Sequence, residues 1–245
     1  MHSRATVEAA LRLASTGATS KAIGAALDVP NRTVNDWLRG RLPHCMDTAA
    51  DSPCGVVHQL HDQPAEYGYL LGLYLGDGCI SRHPRGVYRL RITLDQRYPV
   101  IIQQALGVIQ LISGKGAVTA RPDRCVEVYS YWKHWPCLLP QHGEGPKHLR
   151  TIVLVDWQQE LVDRSPEPLL RGLIHSDGCR AVNTGRGGWS HPRYSFSNRS
   201  ADIHAIFRGA CERLGVRYTV AHPYTTYVSR KADVATLDGF IGPKR

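Results

Sequence analysis

Residues 70–78 read LLGLYLGDG and residues 169–178 read LLRGLIHSDG. Both are apolar runs that carry a glycine near the middle and finish on Asp-Gly, so Asp77 and Asp177 close two similar stretches one hundred positions apart. Oily residues at this density predict two buried helices, Tyr67 to Gly76 and Pro166 to Ser176. Gly72 and Gly172, with Gly76 and Ser176 one turn later, put small residues on one side of each helix, which lets the two helices pack closely side by side.

The chain downstream of each Asp-Gly is repeated as well. After the first, Cys79 to Ser81 and Val87 to Asp95 predict strands, Pro99 to Ile112 a long helix, and Ala117 to Arg121 and Val126 to Trp132 two more strands. After the second, the same series runs through Cys179 to Asn183, Arg193 to Ser197, Ala201 to Leu214, Arg217 to Ala221 and Thr225 to Ser229. Lys133 and Lys231 come after the last strand of each copy, 56 and 54 residues beyond their aspartates. Matched spacing predicts an α+β fold: a duplicated αββαββα domain with repeats at 66–140 and 166–245, a connector at 141–165, and internal pseudo-two-fold symmetry within a monomer.

Residues 1–42 have a different pattern. Val7, Ala10, Leu11 and Ala14 recur at helical spacing up to Gly17, SKAIGAAL (20–27) reads as a second helix opened by a serine cap, and NRTVNDWLRG after Pro30 reads as a third, with Val34, Trp37 and Leu38 inward. Ile23, Leu27, Val29 and Val34 make the small core, with Gly24 where the helices cross. Three short helices with tight turns form a helix-turn-helix pattern, similar to the domains of recombinases and bacterial regulators. Asn31, Arg32, Thr33, Asn35 and Arg39 are the outward polar set of the third helix, suited to base edges and phosphates in a major groove.

Residues 43–65 hold no Lys or Arg and mix Pro, Ser, Ala and Asp, as a linker or irregular subdomain would. Cys45, Cys54, His58 and His61 are a poor match to structural zinc, because the cysteines are nine apart and no CxxC pair exists. The odd total of seven cysteines argues against a disulfide framework and for a reducing, cytoplasmic setting, here nucleoid-associated; no apolar run is long enough to span a bilayer. A net charge of +9 favours an anionic partner, and double-stranded DNA is the expected one.

Both nonapeptides fit the form L-x-G-L-x-x-x-D-G, at 70–78 and 170–178, and with their repeated context the chain resembles the LAGLIDADG homing endonucleases over about residues 66–240. Its repeats are shorter than in many of those enzymes, and His175 replaces the apolar or acidic residue sometimes seen there. The resemblance implies that the strands of each half form a saddle laid in the major groove. Alternation along Val87 to Asp95 gives Tyr88, Leu90, Ile92 and Leu94 to the core and Arg89, Arg91 and Thr93 to the groove. In the second half Tyr194 and Phe196 face inward and Arg193, Ser195 and Ser197 outward, a less basic set that suggests unequal half-sites. Asp77 and Asp177, delivered at helix ends where the dipole is already negative, repel one another unless a cation joins them. Mg2+ meets that demand, holding scissile phosphate and lowering the pKa of an attacking water, one aspartate for each strand. Lys133 and Lys231 take the place where the family often carries a basic residue that steadies phosphate charge.

The resulting expectation is a magnesium-dependent, sequence-specific DNA endonuclease. The alternative is a non-cleaving transcriptional regulator, similar to the sporulation regulators that join the same two module types in the opposite order. An RNA maturase is disfavoured by the helix-turn-helix, and an intein by a chain that starts with Met and ends GPKR without splicing residues.

Overall fold

The computed structural model describes residues 4–42, 63–185, 188, 190–242 and 244. They fall in two compact units, the first at the N-terminal end and the second from residue 63 onward. The residues weighed for zinc, Cys45, Cys54, His58 and His61, lie outside the described residues.

The first unit is three helices, α1 (Arg4–Ser15), α2 (Ser20–Leu27) and α3 (Asn31–Leu38). Val7, Ala10, Ile23, Val29, Val34 and Trp37 form its core. A Cβ at Gly24 would lie 2.6 Å from the Val29 carbonyl, so the tight turn needs glycine there, and Asp28 completes the turn in the left-handed region at φ 51°. Two details differ from expectation. The cap of α2 is Thr19, whose hydroxyl accepts from the Ala22 N–H, rather than Ser20. Leu38 points outward at 40% exposure, because Trp37 one position earlier already fills the inward arc of α3.

The second unit begins with α4 (Pro64–Asp77), which runs directly into β1 (Gly78–Arg82) and β2 (Tyr88–Asp95). Then come α5 (Pro99–Ser113), β3 (Ala117–Ala120), β4 (Cys125–Trp132), a single turn α6 (Trp135–Leu138) and α7 (Asp156–Arg164). The series restarts with α8 (Glu167–Asp177), β5 (Gly178–Thr184), β6 (Ser190–Ser197), α9 (Ala201–Arg213), β7 (Thr219–His222), β8 (Thr225–Val228) and α10 (Lys231–Ile241). Both sheets are antiparallel and share one topology, β1-β2-β4-β3 and β5-β6-β8-β7. Gly78 pairs with Ile92 and Gly178 with Phe196, so the two halves are also in the same register. The α+β duplicated architecture is therefore the observed one. The helix α7 was not anticipated; it lies in the stretch read as a connector and buries Leu161, Val162 and Gln158.

The core explains why α4 is oily all round. Tyr67 to Leu75 are all buried, because one side of the helix meets α8 while the other meets its own sheet. The α4–α8 contact is made at backbone distance: a Cβ on Gly72 would lie 2.8 Å from Gly172 Cα, and one on Gly172 would lie 2.8 Å from Gly72 Cα. Gly68 faces Pro168 and Gly76 faces Ser176 along the same stripe. Leu90, Ile92 and Leu94 are buried beneath the first sheet with Tyr88 packed at the margin, and Tyr194 and Phe196 occupy the matching place in the second.

Candidate functional site

Close packing of α4 and α8 carries Asp77 and Asp177 to a shared end. There a cavity of about 330 Å³ is lined by Leu75, Gly76, Lys147, His148, Asp177, Ser197, Asn198 and Arg199. Burial and the neighbouring Asp177 charge raise the Asp77 pKa to about 6, against the pull of Lys244 and Lys147. Asp177 is also raised by burial, but the Asn198 amide donates to its Oδ2 at 2.6 Å and favours the ionised form, as do the two lysines. Asp77 has no such hydrogen bond among the described residues, so the two carboxylates are not equivalent.

Two lysines complete this end of the helix pair. Lys147 Nζ donates to the carbonyls of Tyr74, Leu75 and Gly76, at 2.5, 2.9 and 2.8 Å. Lys244 Nζ donates to those of Ile174, Ser176 and Gly178, at 3.5, 3.0 and 2.9 Å. Each ammonium thus sits on the negative end of a helix dipole; the Tyr74 and Ile174 carbonyls also accept from the Gly78 and Gly178 N–H groups, whereas Leu75, Gly76 and Ser176 are last-turn carbonyls beyond the last intrahelical bond. Burial lowers the Lys147 pKa to about 8, opposed by the charges of Asp177 and Asp77; Lys244 is lowered by burial in the same way.

These are not the lysines expected from the sequence. Lys133 comes directly after Trp132, which pairs with Tyr88, and Tyr88 also pairs with Arg82, the last residue of β1. Four residues of strand, about 13 Å, therefore separate that sheet end from Gly78. Lys231 opens α10 and lines a separate cavity with Asn183, His191, Pro192, Arg193 and Ser229. Asn183 lies five residues along β5 from Gly178, so this lysine too is at the remote end of its sheet. The two lysines at the helix ends share a signal in the sequence: the tripeptide Gly-Pro-Lys occurs at 145–147 and again at 242–244. Gly145 and Gly242 both take positive φ, 76° and 72°.

His175 proves to be a packing residue. Its Nε2–H donates to the Ile241 carbonyl at 3.1 Å and Nδ1 accepts from the Tyr69 hydroxyl at 2.9 Å, while burial lowers its pKa to about 4. Among the described residues no three His, Cys, Asp or Glu side chains converge as a metal site, and Cys79, Cys125, Cys137, Cys179 and Cys211 form no disulfide.

The sheets turn their outer faces away from this core. Arg91 and Thr93 are partly exposed on the first, whereas Arg89 is drawn against Glu127 and lies over the Tyr129 ring at 4.5 Å. On the second, Arg193 lies over the Tyr227 ring at 4.3 Å, and Ser195 and Ser197 stand beside it on the same face. On α3, Asn31, Arg32 and Arg39 are exposed and Thr33 and Asn35 are partly so, with Asn35 Nδ2 donating to Asn31 Oδ1 at 3.4 Å. No helix among the described residues is long and apolar enough to cross a membrane.

No protein-family model matches the chain, and no curated protein matches it. Solved structures do. A mesophilic variant of the homing endonuclease I-DmoI is 17% identical, over 74% of this chain and 97% of that one, with a TM-score of 0.48. The N-terminal LAGLIDADG domain of WhiA is 14% identical over 74% and 84%, at 0.45. The LAGLIDADG meganuclease I-AabMI, bound to uncleaved DNA, is 13% identical over 71% and 82%, at 0.47.

Proposed function

We propose that the chain binds double-stranded DNA sequence-specifically and hydrolyses one phosphodiester on each strand, with magnesium as cofactor. The observation that carries this reading is the meeting of Asp77 and Asp177 at the joint of two like halves, with a lysine from each half beside them. A carboxylate pair brought together against its own repulsion is a demand for positive charge. Two carboxylates, joined by no converging His or Cys ligand among the described residues, make a hard-oxygen donor set, incomplete by itself, which suits a cation that keeps waters and takes phosphate oxygens. Asp77 and Asp177 would hold it; when bound, it supplies Lewis acidity and a more acidic water.

The chain's own residues do the rest. Lys147 and Lys244 neutralise phosphate charge that builds up during cleavage. Arg199, which lines the same cavity, adds positive charge for the backbone, and His148 beside it offers a ring nitrogen for hydrogen bonding. Arg91, Thr93, Arg193, Ser195 and Ser197 contact the groove from the sheets, and α3 contributes Asn31, Arg32, Thr33, Asn35 and Arg39 to a second stretch of duplex. On this reading Lys147, in the stretch read as a connector, acts with the first repeat.

A second reading has its own observation. Lys147 and Lys244 already place two positive charges beside the acids and partly offset them, which a non-cleaving DNA-binding regulator could keep without a cation. The test is to incubate the protein and Mg2+ with a plasmid library carrying randomised inserts, beside an Asp77→Asn, Asp177→Asn variant, and to sequence the ends. Cuts made only by the wild type support the endonuclease; salt-sensitive binding with no cuts from either protein overturns it in favour of the regulator.

A further inference from the structure

Glu127 stands in the middle of β4, between Thr93 on β2 and Thr119 on β3, on the outer face of the first sheet. A carboxylate on a surface that meets DNA opposes phosphate. Yet its side chain is only 10% exposed, because three guanidinium groups enclose it. Arg89 Nη2 donates to Oε2 at 2.7 Å, Arg121 Nη1 donates to Oε1 at 2.7 Å, and Arg91 Nη1 lies 3.8 Å from Oε1.

The three arginines divide the work. Arg89 is sunk, with 20% of its side chain exposed, its guanidinium over Tyr129 and its Nε buried without a partner. Arg91 and Arg121 remain 40% and 42% exposed and approach Glu127 from opposite sides, two residues before Thr93 and two beyond Thr119. An arginine has five N–H donors, so Arg91 can rest one edge on Glu127 and keep another for a ligand; Arg121, whose Nε also lies 3.4 Å from Asp123 Oδ1, keeps its Nη2 donors. A guanidinium already held in place loses less freedom on binding, and its fork matches guanine O6 and N7. The second sheet lacks this device. By register Ser195 takes the place of Arg91 and Thr225 the place of Glu127, with Ser197 and Thr225 hydroxyls 3.3 Å apart.

We propose that Glu127 is a positioning residue that presets Arg91 and Arg121 to read guanine, so that the target is an asymmetric duplex whose guanine-dependent half lies under the first sheet. This rests on the reading of the chain as a duplex-DNA binder. The test selects bound sequences from a randomised duplex pool with the wild type, Glu127→Gln and Arg193→Gln. The wild type is expected to enrich guanines at fixed positions in one half of the site. Glu127→Gln reduces those preferences about tenfold per position and leaves the other half as it was, while Arg193→Gln alters only that other half. A merely structural role would weaken all sequences alike and move no preference.

Unchanged guanine preference in Glu127→Gln, or equal change in both halves, overturns the assignment of Glu127 and leaves DNA binding standing. A wild type that enriches no sequence overturns both. If Glu127→Gln does not fold, Glu127→Asp, which keeps the charge but is too short to reach Arg89 and Arg121 together, is expected to show the same loss confined to one half; its absence overturns the proposal.

Discussion

Replacing Gly72 by alanine tests the joint on which everything else depends. The added methyl would sit 2.8 Å from Gly172 Cα and from Leu173 N, and nearer still to the Leu169 carbonyl. Carbon atoms in contact prefer about 3.5–4.0 Å, and all three neighbours are backbone, so no side chain can swing aside. The helices must separate by about 1 Å, which loosens the Gly68–Pro168 and Gly76–Ser176 contacts on either side. Overpacking of this kind costs about 3 kcal/mol at the upper end of its usual range; alanine returns about 1 kcal/mol through helix propensity. The net loss of about 2 kcal/mol corresponds to a fall in melting temperature of about 4–8 °C for a unit of this size. The matched control is Gly107→Ala on α5, where a Cβ meets nothing within 4 Å; it should gain about 1 kcal/mol and melt about 2–4 °C higher. Scanning calorimetry on the three proteins decides the matter. Gly72→Ala melting at or above the wild type, while Gly107→Ala rises, would refute backbone contact between α4 and α8.

Three further outcomes are expected. With Asp77 raised to about 6, the folded state holds that proton more tightly, so its contribution is full below about pH 4 and is lost as the pH rises through 6; His175, lowered to about 4, runs the other way across the same window. Asp77→Asn removes the first slope and keeps the second, so its stability relative to the wild type should climb by about 3 kcal/mol between pH 4 and 7.5; parallel urea-unfolding curves for the two proteins would contradict this. Lys147→Met takes a donor from three carbonyls of α4, and Lys244→Met from two of α8 and from that of Gly178; each should lose about 1–3 kcal/mol, measured as urea midpoints at pH 7, and a variant as stable as the wild type would dissociate that lysine from the helix end. Arg32→Ala with Arg39→Ala should lower the slope of log affinity against log salt by about 2 on duplex DNA, and an unchanged slope would remove α3 from the interface.

The fold was legible because its signals are local. Period-two alternation in Val87 to Asp95, the Asp-Gly that ends each oily run, and the small residues on one helix side each state a backbone constraint in a few residues. Element ends agree to within a few residues: the helix anticipated from Pro99 to Ile112 is Pro99–Ser113, and the strand from Val126 to Trp132 is Cys125–Trp132. The site was only half legible. Asp77 and Asp177 stand at the ends of periodic segments, but Lys147 and Lys244 come from irregular chain, where no period marks a residue as pointing anywhere. Lys133 and Lys231 fit the spacing of the repeats and stand at the far ends of their sheets from Gly78 and Gly178, since a position counted along the chain says nothing about which end of a sheet it reaches. Glu127 was invisible for another reason: a carboxylate in a strand reads as a solvated face until three arginines are seen around it.

The places where the two halves match and where they differ obey one physical rule. At the joint each half is the other's packing partner, so Gly72 answers Gly172 and Lys147 answers Lys244; a change on one side is felt by both. The outer faces pack against nothing in the partner half, and there Arg91 and Glu127 stand opposite Ser195 and Thr225 without penalty to the core. Asn198 is the exception that reaches the centre. By donating to Asp177 alone it makes the two acids inequivalent, favouring the ionised form of Asp177 while Asp77 is raised by burial and by the Asp177 charge. An asymmetric outer face is thus joined to an acid pair in which the two carboxylates differ, and the half whose sheet carries the three arginines also carries the aspartate without the amide donor.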